Sequence, residues 1–240
     1  MFGHFASWGI FGILLTVTAL IHFARKRPSF FWLYIIILLG PIGAVVYLAV
    51  EALPELRDPG TFNFLHRRQR IALLQGMVRD NPSPGNYEEL GQLYLDAHDW
   101  QAARVAFDHS IARRTDSIDP FYRRAIAEIE LGDYAAARTD LERVTAADPA
   151  YDLQRAVGLL AHCWAKKGDT ERAQRLFEEV LKTSTLTETQ LHYAQFLAAQ
   201  GRKAEAREMA RRILDKRATM PGFLKRRERR YFWQARLLLR

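Results

Sequence analysis

The chain of 240 residues contains a single cysteine, Cys163. One thiol cannot form an intrachain disulfide, and it cannot supply a multi-cysteine metal site. Cys163 stands beside Trp164 in a segment predicted to be a buried helix, where a cysteine packs as a small apolar side chain more often than it reacts. The cysteine content therefore excludes disulfide scaffolds and does not indicate a compartment.

The sequence also lacks the common catalytic and cofactor-binding motifs. It has no Gly-x-Gly-x-x-Gly or Walker-type loop, no His-Glu-x-x-His, no Cys-x-x-Cys and no Gly-x-Ser-x-Gly. Its seven histidines are scattered and have no partner at metal-ligand spacing on a shared helix face: His4, His22, His66, His98, His109, His162 and His192. We expect no enzymatic activity, no cofactor and no metal.

Most of the chain has little excess of either charge, and the exception is the C-terminal end. The formal net charge is +8, yet residues 222–240 contain seven basic residues and one acidic residue. The preceding 221 residues are nearly balanced, which does not suggest a nucleic-acid-binding domain. The high isoelectric point of the chain is therefore a property of one short segment.

Two long apolar runs lie near the start of the chain. Phe5 to Ala24 is long enough to cross a hydrocarbon core of about 30 Å, and Ser29 to Val50 follows after Arg25-Lys26-Arg27-Pro28. We predict a two-span transmembrane hairpin over residues 1–51. A cleaved signal peptide is the alternative for the first run, but it would need a basic region before that run, and it would not explain the second.

The second run has a pattern of its own, with Trp32, then Leu39-Gly40-Pro41-Ile42-Gly43, then Tyr47. It resembles the two-helix module at the N-terminus of phospholipase-D-type cardiolipin synthases. The catalytic His-x-Lys and Asp pattern of that family is absent, so the resemblance implies an anchor without an enzyme. Pro41 between two glycines also predicts a kink with close helix approach, which hairpin packing alone would explain.

The anchor predicts a multi-pass protein of a bacterial inner membrane, with both ends on the same side. The basic loop at residues 25–27 favours a cytoplasmic loop and a soluble domain on the periplasmic side. Arg57, Arg67, Arg68 and Arg70 favour the opposite orientation. We favour the periplasmic side.

Residues 52–83 are predicted to be a linker and a lead-in helix. Asp58-Pro59-Gly60 predicts a turn at the exit from the bilayer, and Phe62 to Arg79 carries apolar residues at helical spacing. Prolines at positions 82 and 84 end that helix. We expect it to pack on the first unit of the array that follows.

Residues 84–220 repeat one pattern four times. The segments His98-Asp99-Trp100, Gly132-Asp133-Tyr134, Gly168-Asp169-Thr170 and Gly201-Arg202-Lys203 follow one another at 34, 36 and 33 residues. An amphipathic helix-length segment flanks each of them. This period predicts four helical hairpins stacked in an α-solenoid, and hence an all-α fold.

The columns of this repeat resemble the tetratricopeptide repeat. Small residues recur on the first helix of each unit and early on the second, where they allow close helix approach: Gly91, Ala125, Ala161 and Ala194, then Ala103, Ala137, Ala173 and Ala206. The resemblance implies that the first helices line a concave groove suited to a protein or peptide partner. The groove positions that it implies are Glu88, Gln92, Asp96, Tyr122, Ile126, Glu130, His162, Lys166 and Gln195.

Residues 221–240 are predicted to form a C-terminal helix that caps the array, with Leu224, Tyr231, Ala235 and Leu238 packed on the fourth hairpin. Alternatives are an amphipathic helix on anionic lipid and a contact with RNA or an acidic protein. The cations available for such contacts are Lys225, Arg226, Arg227, Arg229 and Arg230. No nucleic acid is expected as the partner.

Two functions follow from the sequence. The first is a membrane-anchored adaptor or scaffold that recruits a protein or peptide during assembly of an envelope or membrane complex. The second is a lipid-associated accessory factor, which recognises anionic phospholipid through the hairpin and the basic C-terminal helix. The sequence does not name the partner, the pathway or the oligomeric state.

Overall fold

The computed structural model describes residues 3–26, 29–52, 59–113 and 116–240. Within those ranges every regular element is a helix, as predicted. The chain divides into two compact units, Met1–Arg70 and Ile71–Arg240, which are described separately.

The first unit contains two apolar helices, α1 (Gly3–Lys26) and α2 (Phe31–Tyr47), and α2 continues into a short π-helical turn, Leu48–Ala52. The helices pack through Ala19, Ile36, Ala44 and Tyr47, all of them buried. The hydroxyl of Tyr47 lies 2.9 Å from Nδ1 of His22. Arg27 and Pro28, part of the predicted basic loop, lie outside the described residues.

Helix α2 reverses direction at Gly40. This residue has φ 54° and ψ −129°, a combination that glycine tolerates and other residues avoid. The rings of Trp32 and Tyr47 lie 5.5 Å apart, and a Cβ on Gly43 would meet the carbonyl oxygen of Ile35, so the two halves lie side by side. The predicted kink at Pro41 is therefore a full reversal with close approach.

One helix in the described part of the chain, Phe31–Glu51, is long and apolar enough to cross a membrane, and Phe11–Arg25 is a shorter apolar helix. With the reversal at Gly40, residues 31–40 of α2 cover about 15 Å and residues 41–47 about 10 Å, so neither part alone spans a hydrocarbon core of about 30 Å. The two-span hairpin stays a prediction.

Helix α3 (Pro59–Asp80) is longer than predicted. Of the turn expected at Asp58-Pro59-Gly60, Asp58 lies outside the described residues, and Pro59 and Gly60 lie in the first turn of the helix, where proline is well tolerated. Of the expected linker, residues 53–58 lie outside the described part of the chain. In the second unit, Leu74 is buried against Leu90 and Ala106, so α3 packs on the first hairpin.

The second unit contains the four predicted hairpins. They are α4 (Pro84–Asp96) with α5 (Trp100–Ala112), α6 (Asp119–Leu131) with α7 (Tyr134–Ala147), α8 (Arg155–Lys166) with α9 (Thr170–Val180), and α10 (Thr187–Ala199) with α11 (Lys203–Thr219). Each helix packs on its hairpin partner, and neighbouring hairpins pack on one another. The result is an α-solenoid.

The turns inside the hairpins share one geometry. Gly132, Gly168 and Gly201 have positive φ, and His98 adopts the same left-handed conformation in the first hairpin. Asp99, Asp133 and Asp169 then cap the second helices, each accepting a hydrogen bond from a backbone N–H three residues on. The recurring aspartate therefore has a structural explanation.

Small residues allow the close helix contacts that the repeat predicts. A Cβ on Gly91 would lie 2.7 Å from the ring of Phe107, inside the first hairpin. A Cβ on Gly158 would lie 2.5 Å from Oγ1 of Thr189, between the third and fourth hairpins. These two glycines are required by packing.

Two short helices end the chain, α12 (Gly222–Arg227) and α13 (Arg229–Leu237). Phe232 and Ala235 are buried against Leu191, Ala210 and Ile213 of the fourth hairpin, and Leu238 packs at the margin of the same cluster. The C-terminal segment therefore covers the apolar face that the last hairpin would otherwise expose.

Candidate functional site

A cavity of about 850 Å³ lies on the side of the array formed by the first helices of the hairpins. Asp96 of α4, Ile126 and Glu130 of α6, and Glu188 of α10 line it. The loop between α7 and α8 and residues from α12 and α13 complete the wall. We name this cavity the groove.

A buried ion pair stands at the centre of the groove. Nε of Arg155, at the start of α8, lies 2.5 Å from Oε2 of Glu188, and the same guanidinium donates from Nη1 to the hydroxyl of Tyr122 over 3.1 Å. Glu188 is only 8% exposed. Burial alone would raise the pKa of Glu188, but the charge and hydrogen bonds of Arg155 outweigh burial and hold that pKa at about 2.

Glu188 also contacts the C-terminal segment. The hydroxyl of Tyr231 donates to Oε1 of Glu188 over 2.7 Å, and burial raises the pKa of Tyr231 to about 12. Arg230 reaches Oε1 of Glu130 at 3.0 Å and approaches Oε1 of Glu188 at 3.7 Å. Side chains from the second, third and fourth hairpins and from α13 thus meet around one carboxylate.

The loop before α8 is held in an unusual backbone conformation. Asp152, Leu153 and Gln154 are consecutive residues with positive φ, which costs free energy for residues other than glycine. Asp152 accepts a hydrogen bond from Tyr122 and lies 3.5 Å from Nη1 of Arg155. Leu153 is 78% exposed at the groove. The strained loop therefore presents one carboxylate and one apolar side chain to the groove.

Two stacked histidines lie behind the ion pair. The rings of His162 and His192 are 3.9 Å apart and nearly parallel, and Nδ1 of His192 is shielded from solvent with no hydrogen-bond partner in the described ranges. Burial lowers the pKa of His162 to about 2 and that of His192 to about 4, and the charge of a protonated His192 would lower the pKa of His162 further. Both rings are neutral near pH 7.

The structure places the predicted groove residues in different environments. Asp96, Ile126 and Glu130 line the groove, whereas Tyr122 and His162 are buried beneath it. The others make local contacts, with Glu88 accepting from Ser110, Gln92 donating to Asp96, Lys166 over the ring of Tyr134, and Gln195 donating to Gln234. Their part in partner binding stays a prediction.

The predicted cations of the C-terminal segment divide in the same way. Arg226, Arg227, Arg229 and Arg230 line the groove, and Arg230 makes the contacts described above. Lys225 donates to the backbone carbonyl of Ala218 over 3.2 Å, which closes the turn before α12. Whether lipid or a partner contacts these groups stays a prediction.

Sequence reasoning missed Arg155 and Glu188, and it named Tyr231 only as a packing residue on the fourth hairpin. A partial signal was present, because Arg155 and Glu188 are 33 residues apart, the spacing of the third and fourth turns, and so occupy one column of the repeat. Tyr122 lies three positions from that column, so the repeat does not identify its contact with Arg155.

A second polar cluster lies away from the groove. Arg124 donates to both carboxylate oxygens of Asp140 and to Oδ1 of Asp108, each over 2.7 Å, and lies 3.8 Å from Glu128. Burial and the charge of Asp140 together raise the pKa of Glu128 to about 8, so Glu128 is largely protonated at pH 7. Within the described ranges no group of histidine, cysteine, aspartate and glutamate side chains is placed to hold a metal ion.

Two profiles of the tetratricopeptide repeat match the chain, over residues 128–185 and 165–221. Together they extend from the end of α6 through the fourth hairpin. The chain therefore contains tetratricopeptide repeats, and its array is a solenoid of that type.

Curated relatives match half of the chain. The cellulose synthase operon protein C of Escherichia coli strain K12, and its putative counterpart in strain O157:H7, are each 31% identical over 123 residues. That segment is 50% of this chain and spans only 10% of the length of either relative.

Solved structures show the same fold. MamA 41-end from Desulfovibrio magneticus RS-1 gives a TM-score of 0.58 at 18% identity, covering 71% of this chain and 97% of that one. YrrB, a TPR protein with an unusual peptide-binding site, gives 0.54 at 17% identity, covering 64% and 79%. TTC0263, a thermophilic TPR protein of Thermus thermophilus, gives 0.53 at 17%, covering 74% and 94%. At these identities the likeness shows the fold alone.

Proposed function

We propose that this protein is a non-catalytic, membrane-anchored scaffold whose tetratricopeptide repeats hold a protein or peptide partner in the groove. The observation that carries the proposal is the groove itself, an open cavity of about 850 Å³ lined by exposed polar side chains and by Leu153 and Ile126. Such a surface can bind an extended segment through polar contacts and apolar pockets together.

The apolar N-terminal unit supports the anchoring part of the proposal. Helix α2 exposes Ile37, Leu38 and Ile42, and α1 exposes Phe11 and Ile13. Exposed apolar side chains in this number mark a membrane or partner contact. We infer a bacterial inner-membrane location, with the repeats on the periplasmic side and a role in assembling or recruiting an envelope or membrane complex.

Site-specific photocrosslinking in cells tests the scaffold. A photoreactive residue at Leu153, in the groove, should give discrete adducts with other proteins. The same residue at the exposed Arg175 of α9 is the matched control and should give none of those adducts. Identical adduct patterns from the two positions, or adducts from Arg175 alone, would show that the groove is not the binding surface.

Topology is tested separately. A compartment-sensitive reporter after Arg240 assigns the C-terminus to one side of the membrane, and impermeant labelling of a cysteine placed at Arg25 assigns the predicted loop. A C-terminus outside the cytoplasm is expected. Recovery of the full chain in the soluble fraction after cell lysis would refute the anchor and leave the crosslinking result standing.

A second candidate function is favoured by one observation. Trp233 is 62% exposed and Phe223 is also exposed, beside the arginines of the C-terminal segment. Exposed aromatic and basic side chains together favour the surface of an anionic bilayer. Hydrogen exchange of residues 222–240 in nanodiscs distinguishes this function, since slower exchange with anionic than with zwitterionic lipid is expected only if the segment binds lipid.

A further inference from the structure

The C-terminal segment does more than cover the last hairpin. Phe232 and Ala235 are the buried members of that contact, and Tyr231, Leu238 and Leu239 pack at its margin. The hydroxyl of Tyr231 and the guanidinium of Arg230 also reach into the groove, where they contact Glu188 and Glu130. Glu130 lies in the second hairpin, 100 residues earlier in the chain.

The two walls of the groove have opposite charge. The repeats contribute four carboxylates, Asp96, Glu130, Asp152 and Glu188, against one cation, Arg155. The C-terminal segment contributes four arginines against one carboxylate, Glu228. The segment is therefore charge-complementary to the surface that it faces, as a bound peptide would be.

The contacts of Arg230 and Tyr231 are of a kind that a competitor can replace. The Arg230 side chain is 50% exposed, and ion pairs with that degree of solvation contribute little to stability. Glu188 is also paired with Arg155, whose charge is the main cause of its lowered pKa, so its ionised form does not depend on Tyr231 alone. The groove is thus preorganised for an Arg-Tyr pair whether or not the C-terminal segment occupies it.

We propose that Arg230 and Tyr231 are an internal ligand of the groove, and that the partner which displaces them is a basic peptide segment carrying an arginine followed by an aromatic residue. The proposal rests on the proposed function, since it names the chemistry of the partner for the same groove. The arginine of the partner binds Glu130 and Glu188, and its aromatic hydroxyl donates to Glu188. An acidic peptide is excluded by the same carboxylates.

The test uses the full chain in detergent micelles and a fluorescent peptide, Gly-Ser-Arg-Arg-Tyr-Phe-Gly-Ser. The double variant Arg230→Gln/Tyr231→Phe removes the internal ligand and keeps Phe232 and Ala235 in their cluster. Because an internal ligand competes at a high effective concentration, we expect the double variant to bind the peptide at least about tenfold more tightly than the native chain. Fluorescence anisotropy measures both dissociation constants.

Three controls keep the result specific. Arg236→Gln removes one charge from the exposed end of α13 and should bind the peptide as the native chain does. A peptide with glutamines for the arginines and phenylalanine for the tyrosine should bind the double variant at least about tenfold more weakly. Glu130→Gln in the double variant should weaken binding of the original peptide about threefold or more. Circular dichroism verifies that each variant keeps its helix content.

Equal affinity of the native chain and the double variant would overturn the proposal, and so would equal affinity of the two peptides. Release of Arg230 from Glu130 by anionic nanodiscs, with no peptide binding to either protein, would also overturn it and assign the segment to a membrane surface. None of these results bears on the crosslinking at Leu153, so failure of the proposed function and failure of this inference are distinguishable.

Discussion

Replacing Glu188 by glutamine tests the ion pair at the centre of the groove. The pKa of Glu188 falls from 4.5 to about 2 in the folded chain, and one pKa unit corresponds to about 1.4 kcal/mol. The ionised carboxylate therefore stabilises the fold by about 3 kcal/mol at pH 7. We expect Glu188→Gln to lower the free energy of unfolding by about that amount.

The sign of the pH dependence follows from the same shift. A carboxylate whose pKa is lower in the folded chain contributes fully above its unfolded pKa of 4.5, and the contribution is lost as the pH falls towards about 2. The difference between the native chain and Glu188→Gln should be constant from pH 7 to 5 and then narrow. Urea unfolding of both proteins in detergent micelles at pH 7, 5, 4 and 3, followed by circular dichroism, measures it.

The chain offers a matched control in Glu205. This carboxylate pairs with Arg202 at 2.6 Å, a distance similar to that of the central pair, but both side chains are solvent-exposed. Exposed ion pairs add little, so Glu205→Gln should leave the unfolding midpoint unchanged. Equal effects of the two substitutions, or a Glu188 effect that does not narrow below pH 4.5, would refute the argument from burial.

Three further predictions concern the packed interior of the array. The pKa of His192 is lowered from 6.5 to about 4, so the fold should lose stability as the pH falls from 6.5 towards 4, and His192→Gln should flatten that part of a stability profile measured by urea unfolding. Gly158→Ala should destabilise the array by about 1–3 kcal/mol through overpacking against Thr189, and adding Thr189→Ala should restore part of the loss in thermal unfolding. Because the pKa of Glu128 is raised from 4.5 to about 8, its ionisation opposes folding, and Glu128→Gln should stabilise the chain by about 4 kcal/mol at pH 8, with no gain at pH 4. A destabilising effect at pH 8 would show that the pair with Arg124 outweighs burial.

The four hairpins were predictable because their signals are local and repeated. Gly132, Gly168 and Gly201 supply the left-handed turns. Asp133 and Asp169, which follow the first two glycines, each cap the next helix by accepting from a backbone N–H three residues on. The first hairpin shows the limit of this reasoning, since His98 takes the left-handed conformation without being glycine. A pattern anchored on Asp99 and the periodic apolar residues still locates that turn.

The groove was predictable only in part. Ile126 and Glu130 were found because the repeat fixes which helix face they occupy. Tyr122 was expected to face the groove but is buried, and its hydroxyl donates to Asp152 of the loop before α8. The left-handed conformation of that loop was not predictable, because none of its three residues with positive φ is a glycine. Contacts such as Arg230 with Glu130 join residues 100 positions apart, and no periodic pattern identifies them.

The apolar N-terminal unit shows the same distinction. Composition predicted two apolar helices and a kink at Pro41, and the chain has both. The reversal at Gly40 depends on one pair of backbone angles, and hydrophobic content carries no information about it.

The contact between Arg230 and Glu130 also has a mechanical consequence. It joins α13, which is packed on the fourth hairpin, to the second hairpin, and so acts as a chord across an arc of stacked helices. In a solenoid each hairpin contacts only its neighbours, so small rotations between hairpins accumulate along the array. Under the proposal above, a partner that replaces Arg230 removes this direct link between α13 and the second hairpin.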